Sequence, residues 1–319
     1  MKLTDLIIVF VIITLPFGLM LQIHARNMEQ IVNKKVEMNH VLDTAVEDGV
    51  TLLVGAGDGK KISLNKDRCL ESFYNTLYVN FGIVGDEYAK EKIKGYIPVI
   101  VIIDYDGFNT LASETFLGKD GLTRIKPVWQ PKKAFSYTRD NFVYGFTIED
   151  YVTVYNTDTG LFMEGKQKDL KGQIADSLLQ DETLFDEVRR RTIVETLQKE
   201  IGYYINRHNE VAKQYGISYQ FSLPVIEDED WYRTLDDIGM LAFFQGMPMG
   251  FEAEYYNNYA FGGAQVIKGD SYYIQADPGS TINYYHREEC KLLTIKNLRF
   301  NSPRGCALEG AFPCDECKP

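Results

Sequence analysis

The chain is short of positive charge. Among 319 residues, 34 Lys and Arg stand against 45 Asp and Glu, a formal net charge of −11. A chain without excess cation has little with which to release phosphate counterions, so nucleic acid is excluded as an expected partner. Cysteine is scarce: Cys69 stands by itself, and the other four lie between Cys290 and Cys317. No Gly/Ser linker, internal repeat or low-complexity block occurs, which excludes extended disorder. No strong catalytic constellation is present either, so an enzyme is not the leading expectation. What the chain does have is apolar and aromatic material, 45% and 13% of its residues. That is enough for one or two folded domains with a substantial core.

One long apolar run exists. Leu6 to Ile23 carries no charge, and only Thr14, Pro16 and Gln22 interrupt its apolar character. At about 1.5 Å per helical residue it comes close to the ~30 Å of a bilayer core. It is therefore read as a transmembrane signal-anchor, giving a single-pass protein of the cell membrane with the lipid bilayer as partner. A cleavable signal peptide competes with this reading, but Ile23-His24-Ala25 is a poor cleavage site because its first residue is bulky. Lys2 on one side and Arg26, Lys34 and Lys35 on the other slightly favour a cytoplasmic head by the positive-inside count.

The helical pattern continues past the run. Met28, Ile31, Met38, Leu42, Ala45 and Leu52 recur at spacings of three and four, with Lys35 and Gly49 weakening the stripe. The glycines from Gly55 to Gly59 stop it. A short polar start, an apolar span and a helix running straight into an α+β head resemble the type IV pilins and pseudopilins, most nearly the minor pilins of tight-adherence pili. The segments Lys2–Phe17 and Leu42–Val54 carry the similarity. The chain departs from that family in having no Gly before Leu6 and only Asp5 near the span entrance. The resemblance implies an extracytoplasmic head, opposite to the charge count, and a structural or assembly role beside other pilus-like or secretion-like subunits. A generic helical stalk is the alternative.

The head reads as mixed α+β. Helices are expected over Lys66–Phe81, over Glu182–Tyr215, where Val194, Leu197, Ile201, Tyr204, His208, Val211 and Tyr215 form a three-four stripe ended by a Gly216 cap, and over Asp230–Phe244. Strands are expected over Val99–Ile103, Ala134–Thr138, Phe142–Tyr155 and Tyr219–Val225, with a hairpin about Lys268-Gly269-Asp270. The expected division is residues 1–54 as anchor and stalk, 60–278 as head, and 279–319 as a small Cys/His module.

That module is the strongest chemical signal. His286, Cys290, Cys314 and Cys317 form H-x3-C…C-x2-C, and a C-x2-C turn puts two thiolates on one side of a tetrahedral metal such as zinc. Disulfide pairing or free thiols are the alternatives. Tyr285, His286, Cys290, Leu293, Ala307, Gly310, Pro313, Cys314, Cys317 and Pro319 also resemble the Cys-rich zinc module of Ada-type DNA-alkylation repair proteins. That resemblance implies a structural zinc knuckle.

Two weaker signals remain. Val99–Ile103 followed by Asp104-Tyr105-Asp106-Gly107 resembles the first motif of haloacid-dehalogenase-type phosphatases, which implies Asp104 as nucleophile and Asp106 as general acid with Mg²⁺ between carboxylates. A strand ending in an Asp-rich turn gives the same letters. Glu227–Asp230 reads either as a Ca²⁺ cluster or as the acidic start of a helix. The Tyr255–Tyr259 run is a candidate binding patch for a surface sensor, and Arg189–Arg191 reads as a solvated face.

Overall fold

The computed structural model describes residues 3–55, 63–174, 177–226, 231–232, 237–250, 254–264, 272–276, 282–287, 290–296, 299–300 and 303–317, with α1 side chains from Phe10 onward. The chain is α+β and divides into two compact units. One comprises Met1–Gly55 with Leu64–Ala264, the other Ala56–Ser63 with Gln265–Pro319.

The larger unit is built on a five-stranded antiparallel sheet. Its strands are β1 (Val99–Asp104), β2 (Gly107–Leu117), β3 (Thr123–Trp129), β8 (Gly239–Pro248) and β9 (Tyr255–Gly263), in the order β9-β8-β1-β2-β3. The central β1 is a run of branched aliphatics because both its faces are covered, and Val99–Ile103 are all buried. On the face that carries Met240 and Ile102 lie α1 (Leu3–Thr51) and α2 (Lys66–Asn80). After the short helices α3 (Glu87–Gly95), α4 (Gln167–Leu170) and α5 (Ser177–Gln180), the long α6 (Glu182–Ala212) lies on the other face, tied to β2 by Arg207 and Glu114 at 2.7 Å.

Helix α1 owes its seat to two glycines. A Cβ on Gly262 of β9 would stand 2.9 Å from Val46 Cγ1 and 3.2 Å from Val50 Cγ2, so the missing side chain lets the helix approach the strand. Gly49, which weakens the apolar stripe in sequence, is the point where α1 meets α2. A Cβ there would lie 3.1 Å from the Cys69 carbonyl oxygen. Ile31, Met38, Leu42 and Ala45 of the expected stripe are buried, whereas Met28 and Leu52 are exposed and Leu53 takes the buried place.

A second, four-stranded antiparallel meander follows: β4 (Phe135–Arg139), β5 (Phe142–Phe146), β6 (Tyr151–Asn156) and β7 (Phe162–Lys166). Its inner face is aromatic. Tyr144 and Phe146 stack with centroids 6.0 Å apart, and Phe146 meets Phe185 of α6 edge-on at 5.6 Å. Phe135 stacks on Phe108 of β2, which joins the two sheets.

The smaller unit is a four-stranded sheet of β10 (Tyr272–Ala276), β11 (Asn283–Arg287), β12 (Arg299–Phe300) and β13 (Ala311–Pro313), in the order β12-β10-β11-β13, with the short helix Pro303–Leu308. Its core is small: Tyr272, Tyr285, Cys306 and Ala311, with Ile274 and Phe300 packed against them.

Several expectations are corrected. The transmembrane span is corrected, and with it the single-pass cell-membrane localisation that rested on it: among the described residues no helix is long and apolar enough to cross a membrane. The uncharged run of α1 ends at Ile23 and gives way to His24-Ala25-Arg26-Asn27. At about 1.5 Å per residue the 18-residue run Leu6–Ile23 rises about 27 Å, below the ~30 Å of a bilayer core. The helix expected over Asp230–Phe244 is β8 from Gly239 onward. Its apolar residues are buried on both faces of a central strand, a pattern that sequence periodicity does not separate from a buried helix. Tyr219–Val225 is irregular rather than a strand. Phe142–Tyr155 is two strands, not one, broken between Phe146 and Tyr151. Glu227–Asp230 and Lys268–Asp270 lie outside the described residues.

Candidate metal centre

The site is assembled from β11, the turn after it, and the turn after β13. His286 sits near the end of β11, opposite Tyr273 of β10. The chain then turns, with the Cys290 N–H donating to the Arg287 carbonyl at 3.0 Å, which brings Cys290 back over His286. The remaining thiols arrive from the C-terminal side. Strand β13 runs parallel to β11, and the Cys314 N–H donates to the Tyr285 carbonyl at 3.1 Å. This hydrogen bond fixes Cys314 next to His286, and the Asp315–Cys317 turn folds Cys317 onto the same spot. Gly310, at φ +78°, supplies the left-handed residue that starts β13.

The four ligand atoms lie within 4.8 Å of one another. His286 Nδ1 is 3.3 Å from Cys290 Sγ, and Cys290 Sγ is 4.0 Å from Cys314 Sγ. A tetrahedral zinc ion with three sulfurs and one nitrogen has donor–donor edges of about 3.5–3.8 Å, so small side-chain rotations close the set. His286, Cys290 and Cys314 are buried and Cys317 is partly so.

The electrostatics favour deprotonation at one end of the C-x2-C pair. Burial alone raises the Cys314 thiol, but N–H groups of Cys317 and Glu316 and the neighbouring thiols outweigh it and draw Cys314 below its ordinary value. Cys317 is pushed up to about 11 by burial and by the adjacent sulfurs. Two thiols as close as Cys314 and Cys317 do not both ionise readily without a cation beside them. Burial also lowers His286, which favours the neutral imidazole that a metal needs. The four residues picked out by spacing are thus brought together, and the cluster can bind a metal ion.

The other candidates fall into structural settings. Asp104 and Asp106 flank the tight turn between β1 and β2, in an antiparallel sheet. Lys132 Nζ stands 2.6 Å from Asp104 Oδ2 and also pairs with Asp106, so an ammonium occupies the place between the carboxylates. The motif glycine has a packing reason: a Cβ on Gly107 would lie 2.3 Å from the Lys133 carbonyl oxygen. Of the tyrosine run, Tyr256 is buried and donates to Asn39 Oδ1 at 2.8 Å, while Tyr255 and Tyr259 are half-buried. Arg189 departs from the expected solvated face. It is buried, and its Nη1 donates to the Ile148 carbonyl at 2.6 Å. His208, on the α6 stripe, is a core histidine with Nε2 at 2.8 Å from the Gly95 carbonyl oxygen.

Sequence reading missed Lys132 as the partner of both aspartates, because the cation comes from a loop 26 residues beyond Asp106. It also missed the uneven exposure along α1. Every large apolar side chain from Phe10 to Ile23 is exposed, with Phe10 at 65% and Met20 at 71%.

No family model, curated protein or solved structure matches the chain.

Proposed function

We propose that the protein is a structural subunit of a larger pilus-like assembly, joined to other copies through the N-terminal part of α1. The observation that supports this is the change along that helix. Between Ile31 and Leu53 one face, carrying Ile31, Met38, Leu42, Ala45, Val46 and Val50, is buried against α2 and the sheet, whereas Phe10 to Ile23 expose their apolar side chains on all sides. A helix that is apolar all round is stable in water only when it is covered all round. One partner helix covers one face, so several α1 helices pack together in this reading. The pilin-like order of elements supports the same role. Light scattering on the purified full-length chain tests it. The expected result is a multimer, reduced to monomer by Leu15→Asp with Leu19→Asp. A wild-type chain that stays monomeric contradicts the reading.

Within each subunit we infer a structural zinc ion held by His286, Cys290, Cys314 and Cys317. Three thiolates and an imidazole are the donor set zinc favours, and four protein ligands leave no open position for water or substrate. In this role the ion replaces core that the small unit lacks. Metal analysis should find one zinc per chain, lost when Cys314 and Cys317 are replaced by Ser. Metal-free, folded protein contradicts the assignment.

A further inference from the structure

Accessibility sorts the five thiols. Cys69 and Cys306 are 0% exposed and lie outside the metal cluster, Cys306 among Tyr272, Tyr285 and Ala311. Cys290 and Cys314 are buried inside it. Cys317 alone is reachable from solvent. It is also the one placed on a turn, three residues from a buried neighbour. A turn keeps residues i and i+3 within about 7 Å at Cα, close to the upper range that a disulfide bridges.

We propose that Cys317 is an oxidative modification site through which a hydroperoxide, acting on the metal-loaded cluster, releases the ion. The inference rests on the zinc reading above. Zinc binding holds the three sulfurs as thiolates, the form that reacts. The Cys317 thiolate attacks one peroxide oxygen. The O–O bond breaks, the sulfur becomes a sulfenic acid, and one hydroxide leaves. The Cys314 thiolate then attacks the Cys317 sulfur. An S–S bond forms, the S–O bond breaks, and a second hydroxide leaves. Two thiolates have lost two electrons, and one hydrogen peroxide has become two hydroxides. His286 and Cys290 remain, two donors where zinc needs four, so the ion dissociates.

The small core makes this event larger than a local change. With Tyr272, Tyr285, Cys306 and Ala311 as its buried cluster, the unit has little to hold β11 and β13 together once the ligands part. A thiol reductant restores the two thiolates and, with zinc present, the site.

The test uses the full-length chain loaded with zinc, hydrogen peroxide as oxidant and a chromogenic zinc indicator. Zinc content is measured before peroxide is added. A chain that takes up no zinc overturns the zinc assignment, and this inference with it, at that stage. With zinc in place, the expected result is release of one equivalent of zinc, an intact mass lower by two hydrogens, and a Cys314–Cys317 linked peptide. Dithiothreitol with zinc should reverse all three, and Cys306→Ser should release zinc at the wild-type rate. Zinc retained through peroxide treatment, or a disulfide mapped to Cys290 or Cys306, overturns the assignment to Cys317 while leaving the zinc site intact.

Discussion

In the larger unit, Val99–Ile103 of β1 and Met240–Phe244 of β8 are buried without a polar residue among them, covered by α1 and α2 on one face and α6 on the other. In the smaller unit the buried apolar cluster is Tyr272, Tyr285, Cys306 and Ala311, and the neighbours buried as deeply are His286, Cys290 and Cys314. Fully burying one large aliphatic or aromatic side chain contributes about 1.5–3 kcal/mol. The larger unit has dozens of such side chains and the smaller a handful. A sheet with strands of two to five residues cannot stand on a handful, so its stability must come from cross-links between chain segments. A metal ion held by the His286, Cys290, Cys314 and Cys317 cluster would provide them: it would tie β11 to the chain after β13, two segments that otherwise share one short parallel pairing.

The largest effect is expected at the cluster. Replacing Cys314 and Cys317 together by Ser should abolish the fold of the smaller unit and leave the larger one folded. Limited proteolysis would then cut readily between residues 272 and 317 and spare 99–112 and 239–248. Equal resistance of both regions would mean that the small core suffices. Next in size is Phe243→Ala in β8, where the ring is 0% exposed. It should lower the stability of the larger unit by about 3–5 kcal/mol in denaturant titration and leave zinc content unchanged. Gly262→Ala puts a methyl group against Val46 and Val50. Because α1 must then move off β9, a loss of about 1–3 kcal/mol is expected from the same titration. The smallest effect is a pH dependence. Burial pushes His208 below the ordinary imidazole value, and the Gly95 carbonyl opposes that only in part. The folded state therefore holds a neutral ring, while the unfolded chain takes up a proton near pH 6.5. Stability from this group is complete above that pH and is lost as pH falls below it. Urea midpoints of the larger unit should drop on going from about pH 7.5 to about pH 5.5, and drop less in His208→Gln.

Much of the larger unit was legible where one physical signal acted alone. The stripe of Val194, Leu197, Ile201, Tyr204, His208, Val211 and Tyr215 announced a one-sided helix, and Leu197, Ile201, Tyr204, His208 and Val211 are buried while Val194 is half-buried. Val99–Ile103 announced a covered strand. Where a segment is covered on both faces, the period disappears, and β8 could not be told from a helix until its pairing with β1 and β9 was seen. The seat of α1 was opaque for a different reason. Gly49 and Gly262 act by what they leave out, and no pattern of apolar residues records a close approach. The four-residue cluster was legible because ligand chemistry fixes its spacing. Its dependence on β13 was not, because three residues of parallel pairing leave no periodic trace.

Whether the cluster holds the smaller unit together can be read from hydrogen exchange of the full-length chain, with zinc bound and after chelation. Chelation is expected to remove amide protection from Tyr272–Ala276, Asn283–Arg287 and Ala311–Pro313, and to leave Val99–Asp104 and Gly239–Pro248 as slow as before. Protection in the first three segments that survives removal of the metal would contradict this role of the cluster.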